Sequence, residues 1–196
     1  MSLRFIADAS DLIALRPHLA KVVSDLPAAA ARALNKTIKG LRTEVDAEVR
    51  ARYAVKKKDV FSTMSVIKAH KRNPEARLRI KTARSIPLFR FAATPKEPRE
   101  ERPKKGVSGV SVRVLVSGGR KKLHKVFVAK MSSGHVGIFE RTSKKSLPIH
   151  ELYGPTFLPY LQRDAVDERI TDRANERLWK NLEHEADREL KKAGLR

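Results

Sequence analysis

The sequence predicts an α+β fold: an antiparallel β-meander packed against N-terminal helices, with a long charged C-terminal helix. Three observations point there. Apolar residues recur at helical spacing over 28–52, at Leu34, Ile38, Leu41, Val45 and Val49. The period then falls to two, at Leu78 and Ile80 and again at Val110, Val112, Val114 and Val116, as half-buried strands require. From about residue 157 a highly charged stretch returns to helical spacing.

In chain order, Ser10 can cap a short helix over 11–15, and Pro17 suits the first turn of a second with Leu19, Val22, Val23 and Leu26 as its apolar face. Pro27 restarts the chain into the long helix over 28–52. Gly40 inside it costs stability but lets a neighbour approach closely. Arg32, Lys36, Lys39, Arg42, Arg50 and Arg52 occupy the opposite face. Lys56, Lys57 and Lys58 form a basic loop into a short helix over 59–64, and residues 71–74 form a turn. Residues 77–81 read as a strand, and 86–91 as extended chain in which Pro87 belongs at an edge or bulge.

Residues 94–107 hold three prolines and many charges, too polar for a core, and read as a mobile basic loop. Three strands follow, over 110–116, 120–131 and 136–142. Ser117-Gly118-Gly119 and Ser132-Ser133-Gly134 turn them into a meander. The final helix, 157–192, places Leu161, Ala165, Ala174, Leu178, Leu182 and Ala186 near one face, with Pro159 tolerated only near its start. The expected division is an N-terminal helical segment over 1–27, an α+β core over 28–156 and the charged helix over 157–196.

The chain has 196 residues and a formal net charge of +21. Residues 61–105 carry 13 basic and 4 acidic side chains, and residues 106–150 carry 9 and 1, whereas 151–196 carry 9 and 10. A cationic middle between nearly neutral ends attracts a polyanion or an acidic protein face. Cysteine is absent, which excludes disulfides and thiolate metal sites. No apolar run approaches a membrane span, and the N-terminus lacks the apolar stretch of a secretory signal.

Catalytic chemistry finds little support. There is no nucleophile elbow, Walker loop or dinucleotide fingerprint. Gly118-Gly119-Arg120-Lys121-Lys122 resembles a phosphate loop only in composition and reads as a basic hairpin tip. His135 and His150 could meet around a metal, but no histidine pair has helical metal spacing, and loop or hydrogen-bonding roles are favoured. Glu140 and Glu151 read as structural carboxylates, with Glu140-Arg141 forming charge pairs near a sheet end or with a neighbouring subunit. No catalytic, cofactor or metal residue is expected. The basic residues Lys56, Lys57, Lys58, Lys104, Lys105, Arg120, Lys121, Lys122, Lys144 and Lys145 lie at loops and turns, where they could track a phosphate backbone without reading bases. Phe89 and Phe91, on a strand, are assigned to the core rather than to base stacking.

The most distinctive stretch is 134–156. A glycine-rich strand ends in Phe139-Glu140-Arg141, and Leu147-Pro148-Ile149, His150, then Glu151-Leu152-Tyr153-Gly154-Pro155 follow. This resembles the signature of the phage and prophage minor tail protein Z family, a tail-completion family. Ala33-Leu34-Asn35-Lys36-Thr37, Tyr53-Ala54-Val55-Lys56, Ile86-Pro87-Leu88 and Phe127-Val128-Ala129 sit in the order that resemblance requires, over about 30–160. The resemblance implies a structural virion protein, not an enzyme, assembled in the host bacterial cytoplasm and acting at the head-proximal end of a long tail. It implies other tail or head–tail connector proteins as partners, a homo-oligomer such as a ring, and double-stranded DNA in the channel as a contact, with no membrane. Within the signature, Leu147-Pro148-Ile149 is expected to leave the sheet as an arm that Leu152 and Tyr153 anchor, in the same subunit or in the next. The alternative reading of the charge is a non-specific nucleic-acid-binding protein unrelated to virions.

Overall fold

The computed structural model describes residues 9–81, 86–98 and 109–195. Four helices and seven strands follow in the order α1 (Ala9–Arg52), α2 (Lys57–Ser62), β1 (Met64–Ile67), β2 (Arg77–Ile80), β3 (Val110–Val112), β4 (Lys121–Leu123), β5 (Val126–Lys130), β6 (Val136–Arg141), β7 (Ile149–Glu151), α3 (Leu158–Leu161) and α4 (Asp164–Lys192). A 3-10 turn over Leu88–Arg90 lies between β2 and β3. The sheets are β1-β2, β3-β4 and the antiparallel meander β5-β6-β7. The fold is α+β, with a helical N-terminal region, small antiparallel sheets and a long C-terminal helix.

The chain forms two compact units. One comprises residues up to 41, 66–78 and those from 171; the other comprises 42–65 and 79–170. In the first, the α1 residues Ala29, Ala31, Ala33 and Ile38 are buried together with polar α4 residues, Asn181, Glu185 and Glu189. Small side chains on α1 leave room for long ones opposite. Arg32 Nε donates to Glu185 at 2.6 Å and its Nη2 to Glu189 at 2.5 Å. Asn181 Nδ2 donates to Thr37 Oγ1 at 2.9 Å, and Arg177 lies where a side chain at Gly40 would stand. Gly40 thus permits the close approach expected of it.

The second unit is built on Val49, Val60, Phe91, Val110 and Ile138, all essentially inaccessible, with Phe157 and Leu161 of the α3 region also buried. Tyr53 packs on Phe157 and edge-on to Tyr160, at centroid distances of 5.1 and 5.9 Å. Asp46 is fully buried and takes a bidentate bond from Arg50 one turn on, at 2.8–3.0 Å.

Several expected boundaries differ. The helices expected over 11–15, from Pro17, and over 28–52 are one helix, because proline's fixed φ is helical and forbids one hydrogen bond rather than the helical path. The strand expected over 120–131 is split, because Lys125 adopts φ 65 and turns β4 away from β5. The meander therefore consists of β5, β6 and β7 rather than beginning at β3. Lys57 and Lys58 belong to α2 rather than to a preceding loop. Phe89 and Phe91 lie in and just after a 3-10 turn, not on a strand; Phe91 fills the core and Phe89 is half-buried. On α4 the buried residues are Val166, Asn181, Glu185 and Glu189, while Ala165 and Ala186 are exposed. Most of the loop expected over 94–107 lies outside the described residues.

Candidate assembly site

The signature segment is a joint in the second unit. β6 and β7 align Phe139 with Glu151, Glu140 with His150 and Arg141 with Ile149. Beyond β7, Leu152 N–H donates to Ile138 C=O at 2.8 Å. Leu152 C=O in turn accepts from Leu88 N–H, and Gly154 N–H donates to Ile86 C=O, both at 2.8 Å. Pro87 faces Tyr153 in an isolated bridge. Residues 86–88 therefore prolong the sheet edge, and Pro87, which has no N–H to give, sits at that edge as expected.

Two glycines make the joint possible. A Cβ on Gly154 would stand 2.1 Å from the Phe91 ring, in the middle of the core. A Cβ on Gly137 would stand 2.4 Å from Glu151 Oε1, so the glycine lets that carboxylate lie across β6. Glu151 uses the space: His135 Nε2 lies 2.6 Å from Oε1, and the Tyr153 hydroxyl donates to Oε2 at 2.9 Å. That bond, reinforced by desolvation, holds the Tyr153 phenol above its ordinary pKa. His135 thus meets Glu151 and not His150, which stands opposite Glu140.

The segment divides into an inner and an outer face. Phe139 is buried and stacks obliquely on Phe127 at 6.4 Å. Arg141 spreads over the Phe127 ring at 4.7 Å, a cation–π contact. Ile149, expected on an outgoing arm, is a β7 residue, and Leu152 is half-buried. Glu140, Pro148 and Pro155 are exposed, as are two large apolar side chains, Leu147 at 66 % and Tyr153 at 53 %. The arm is thus confined to the turn before β7.

The other pieces of the resemblance also hold structure. Ala33 is inaccessible, and Asn35 grips the Ala69 backbone at both ends, donating to its C=O at 2.9 Å and accepting from its N–H at 2.8 Å. Thr37 bonds Ala33 C=O and Asn181. Ala54 N–H donates to Val114 C=O at 2.9 Å, and Tyr53 bridges Leu115. The Asn35 clamp and the partners of Glu185 and Glu189 were not foreseen, because polar residues in a charged helix give no periodic signal.

Of the basic residues, Lys56, Lys57, Lys58, Lys121, Lys122, Lys144 and Lys145 are exposed. Lys57 also lies 5.1 Å from the Phe61 ring. Arg120 is committed locally, donating to Ala92 C=O at 2.6 Å and to Thr94 Oγ1 at 2.5 Å. Lys104 and Lys105 lie outside the described residues. Among the described residues no group of three or more acidic or histidine side chains could hold a metal ion, and no helix is long and apolar enough to cross a membrane.

The family model of prophage minor tail protein Z (GPZ) matches residues 17–194. No curated protein and no solved structure matches the chain.

Proposed function

The chain belongs to the prophage minor tail protein Z family and is a structural protein of the phage tail; from that premise we propose that it completes the head-proximal end of the tail as a closed homo-oligomer. The observation that carries this reading is the joint itself. The signature holds its inner face with Phe139, Leu152 and Gly154 and presents Leu147 and Tyr153 outward on the same short stretch. A conformation fixed from within that presents two large apolar side chains is what a rigid assembly contact needs, since little ordering remains to be done on association. Phe139, Glu140, Arg141, Leu147, Pro148, Ile149, Glu151, Leu152, Tyr153, Gly154 and Pro155 form this assembly segment. The exposed lysines at 56–58 and 144–145 face the channel and its double-stranded DNA in this reading, contacting phosphates without sequence preference.

Quantitative mass spectrometry of purified infectious particles tests it. A small fixed copy number, as closed cyclic symmetry demands, is the expected result. Absence of the chain from intact particles overturns the structural reading and leaves the nucleic-acid-binding alternative.

A further inference from the structure

An apolar groove of about 390 Å³ opens beside the β3-β4 hairpin and extends to Leu88, whose N–H is bonded to Leu152 of the signature joint. Leu88, Val112, Val114, Leu115, Gly118 and Gly119 line it. Lys121 and Leu123 line it from β4. β4 is an edge strand, whose only strand partner among the described residues is β3. Lys121 pairs with Val112 and so shares the face that carries the groove. A lysine on that face of an edge strand repels a second copy of the same edge.

The charge of the hairpin stretch is one-sided. Between Gly109 and Lys130 the chain carries Arg113, Arg120, Lys121, Lys122, Lys125 and Lys130 and no Asp or Glu. The hairpin end is also held in shape. Arg113 donates to the Val116 and Gly118 carbonyls from within the loop, and Arg120 ties the loop to Ala92 and Thr94.

We propose that this groove receives an extended acidic segment of another protein, with an apolar side chain entering between Val114 and Leu123 and a carboxylate two residues along, on the same face of the segment, meeting Lys121. Backbone pairing to the outer edge of β4 would add a strand to the hairpin. A phosphate backbone brings no apolar groups to fill such a groove, so an acidic polypeptide fits it better than DNA does. A second copy of this chain would bring its own cations to a cationic rim. That the segment belongs to a neighbouring tail protein rests on the family reading above; the chemical class of the ligand rests on the groove alone.

Gly119 supplies a clean test. Gly119 lines the groove and a Cβ there meets nothing within 4 Å, so Gly119→Phe adds a ring beside the groove without displacing the fold. The full-length chain is titrated, by fluorescence anisotropy, with a peptide repeating valine-serine-glutamate-serine, which carries valine and glutamate on one face, with its counterpart bearing lysine for glutamate and with a short DNA duplex. The expected result is binding of the acidic peptide only among the two peptides. Gly119→Phe and Lys121→Glu each weaken it about tenfold or more, while the Gly119→Phe thermal midpoint and duplex binding stay unchanged. Equal binding of both peptides, duplex binding alone, or an acidic-peptide affinity indifferent to Gly119→Phe overturns the proposal. None of these readouts depends on incorporation into particles, so a failed groove and a failed tail assignment are told apart.

Discussion

Gly154 and Tyr153 are neighbours in the chain with opposite duties. Gly154 faces inward, where its missing Cβ is occupied by Phe91, an inaccessible ring that cannot retreat without opening the core. Gly154→Ala should lower stability by about 1–3 kcal/mol, the usual cost of overpacking, as a shift in the denaturant midpoint. Tyr153 faces outward, and its hydroxyl bond to Glu151 is exposed. Tyr153→Ala should leave the monomer's thermal midpoint nearly unchanged while lowering incorporation into particles. A large fall in the Tyr153→Ala midpoint would reassign the ring to an intramolecular anchor and remove it from the assembly surface. The glycine's importance was visible in the sequence only as a motif. Its reason was not, because Phe91 lies far away along the chain and nothing local announces that the two meet.

The pairing of α1 and α4 residues within the first unit shows what periodicity reads well and what it misses. Helical spacing marked 28–52 as helix and found Ile38, Val45 and Val49, all buried. On α4 the same rule chose Ala165 and Ala186, which are exposed, and passed over Glu185 and Glu189, which are not. A pattern counted in apolar residues cannot see a face whose buried groups are carboxylates, since their partners, Arg32 above all, lie on another element. The strand break at Lys125 was hidden for a related reason: a positive φ at a lysine has no compositional mark, unlike one at glycine. The buried carboxylates have a measurable consequence. The Lys192 hydrogen bond, aided by the charges of Lys192 and Arg32, holds Glu189 below its ordinary pKa against the opposing pull of desolvation. A depressed folded pKa means stabilisation that is complete above the ordinary glutamate value and lost as pH falls through the folded one. Stability should therefore decline on acidification below about pH 4.5. Glu189→Gln should be less stable at neutral pH and show a shallower decline, followed by denaturant midpoints across the acid range. Parallel curves for the two proteins would remove Glu189 from the account.

At the scale of the whole molecule, the proposed assembly segment and the exposed lysines are separable by experiment. The net charge of +21 was readable from the sequence, but which cations are available to a partner was not. Arg120 spends its guanidinium on the carbonyl of Ala92 and the hydroxyl of Thr94, and Arg141 lies on Phe127, whereas Lys144 and Lys145 stand exposed on the turn before β7. Phosphate contact releases condensed counterions, so duplex affinity should fall linearly on logarithmic axes as salt rises, with a slope of about 0.9 per phosphate neutralised. Lys144→Glu with Lys145→Glu should reduce that slope by about 2, roughly one per lysine, and weaken binding equally for unrelated sequences. Arg120→Ala should instead lower the thermal midpoint and leave the slope almost intact, because its loss frees the loop rather than a phosphate contact. A duplex affinity flat in salt, or a slope unmoved by the double lysine change, would take DNA out of this surface's role. The exposed lysines at 144–145 would then join Leu147 and Tyr153 in the proposed assembly contact.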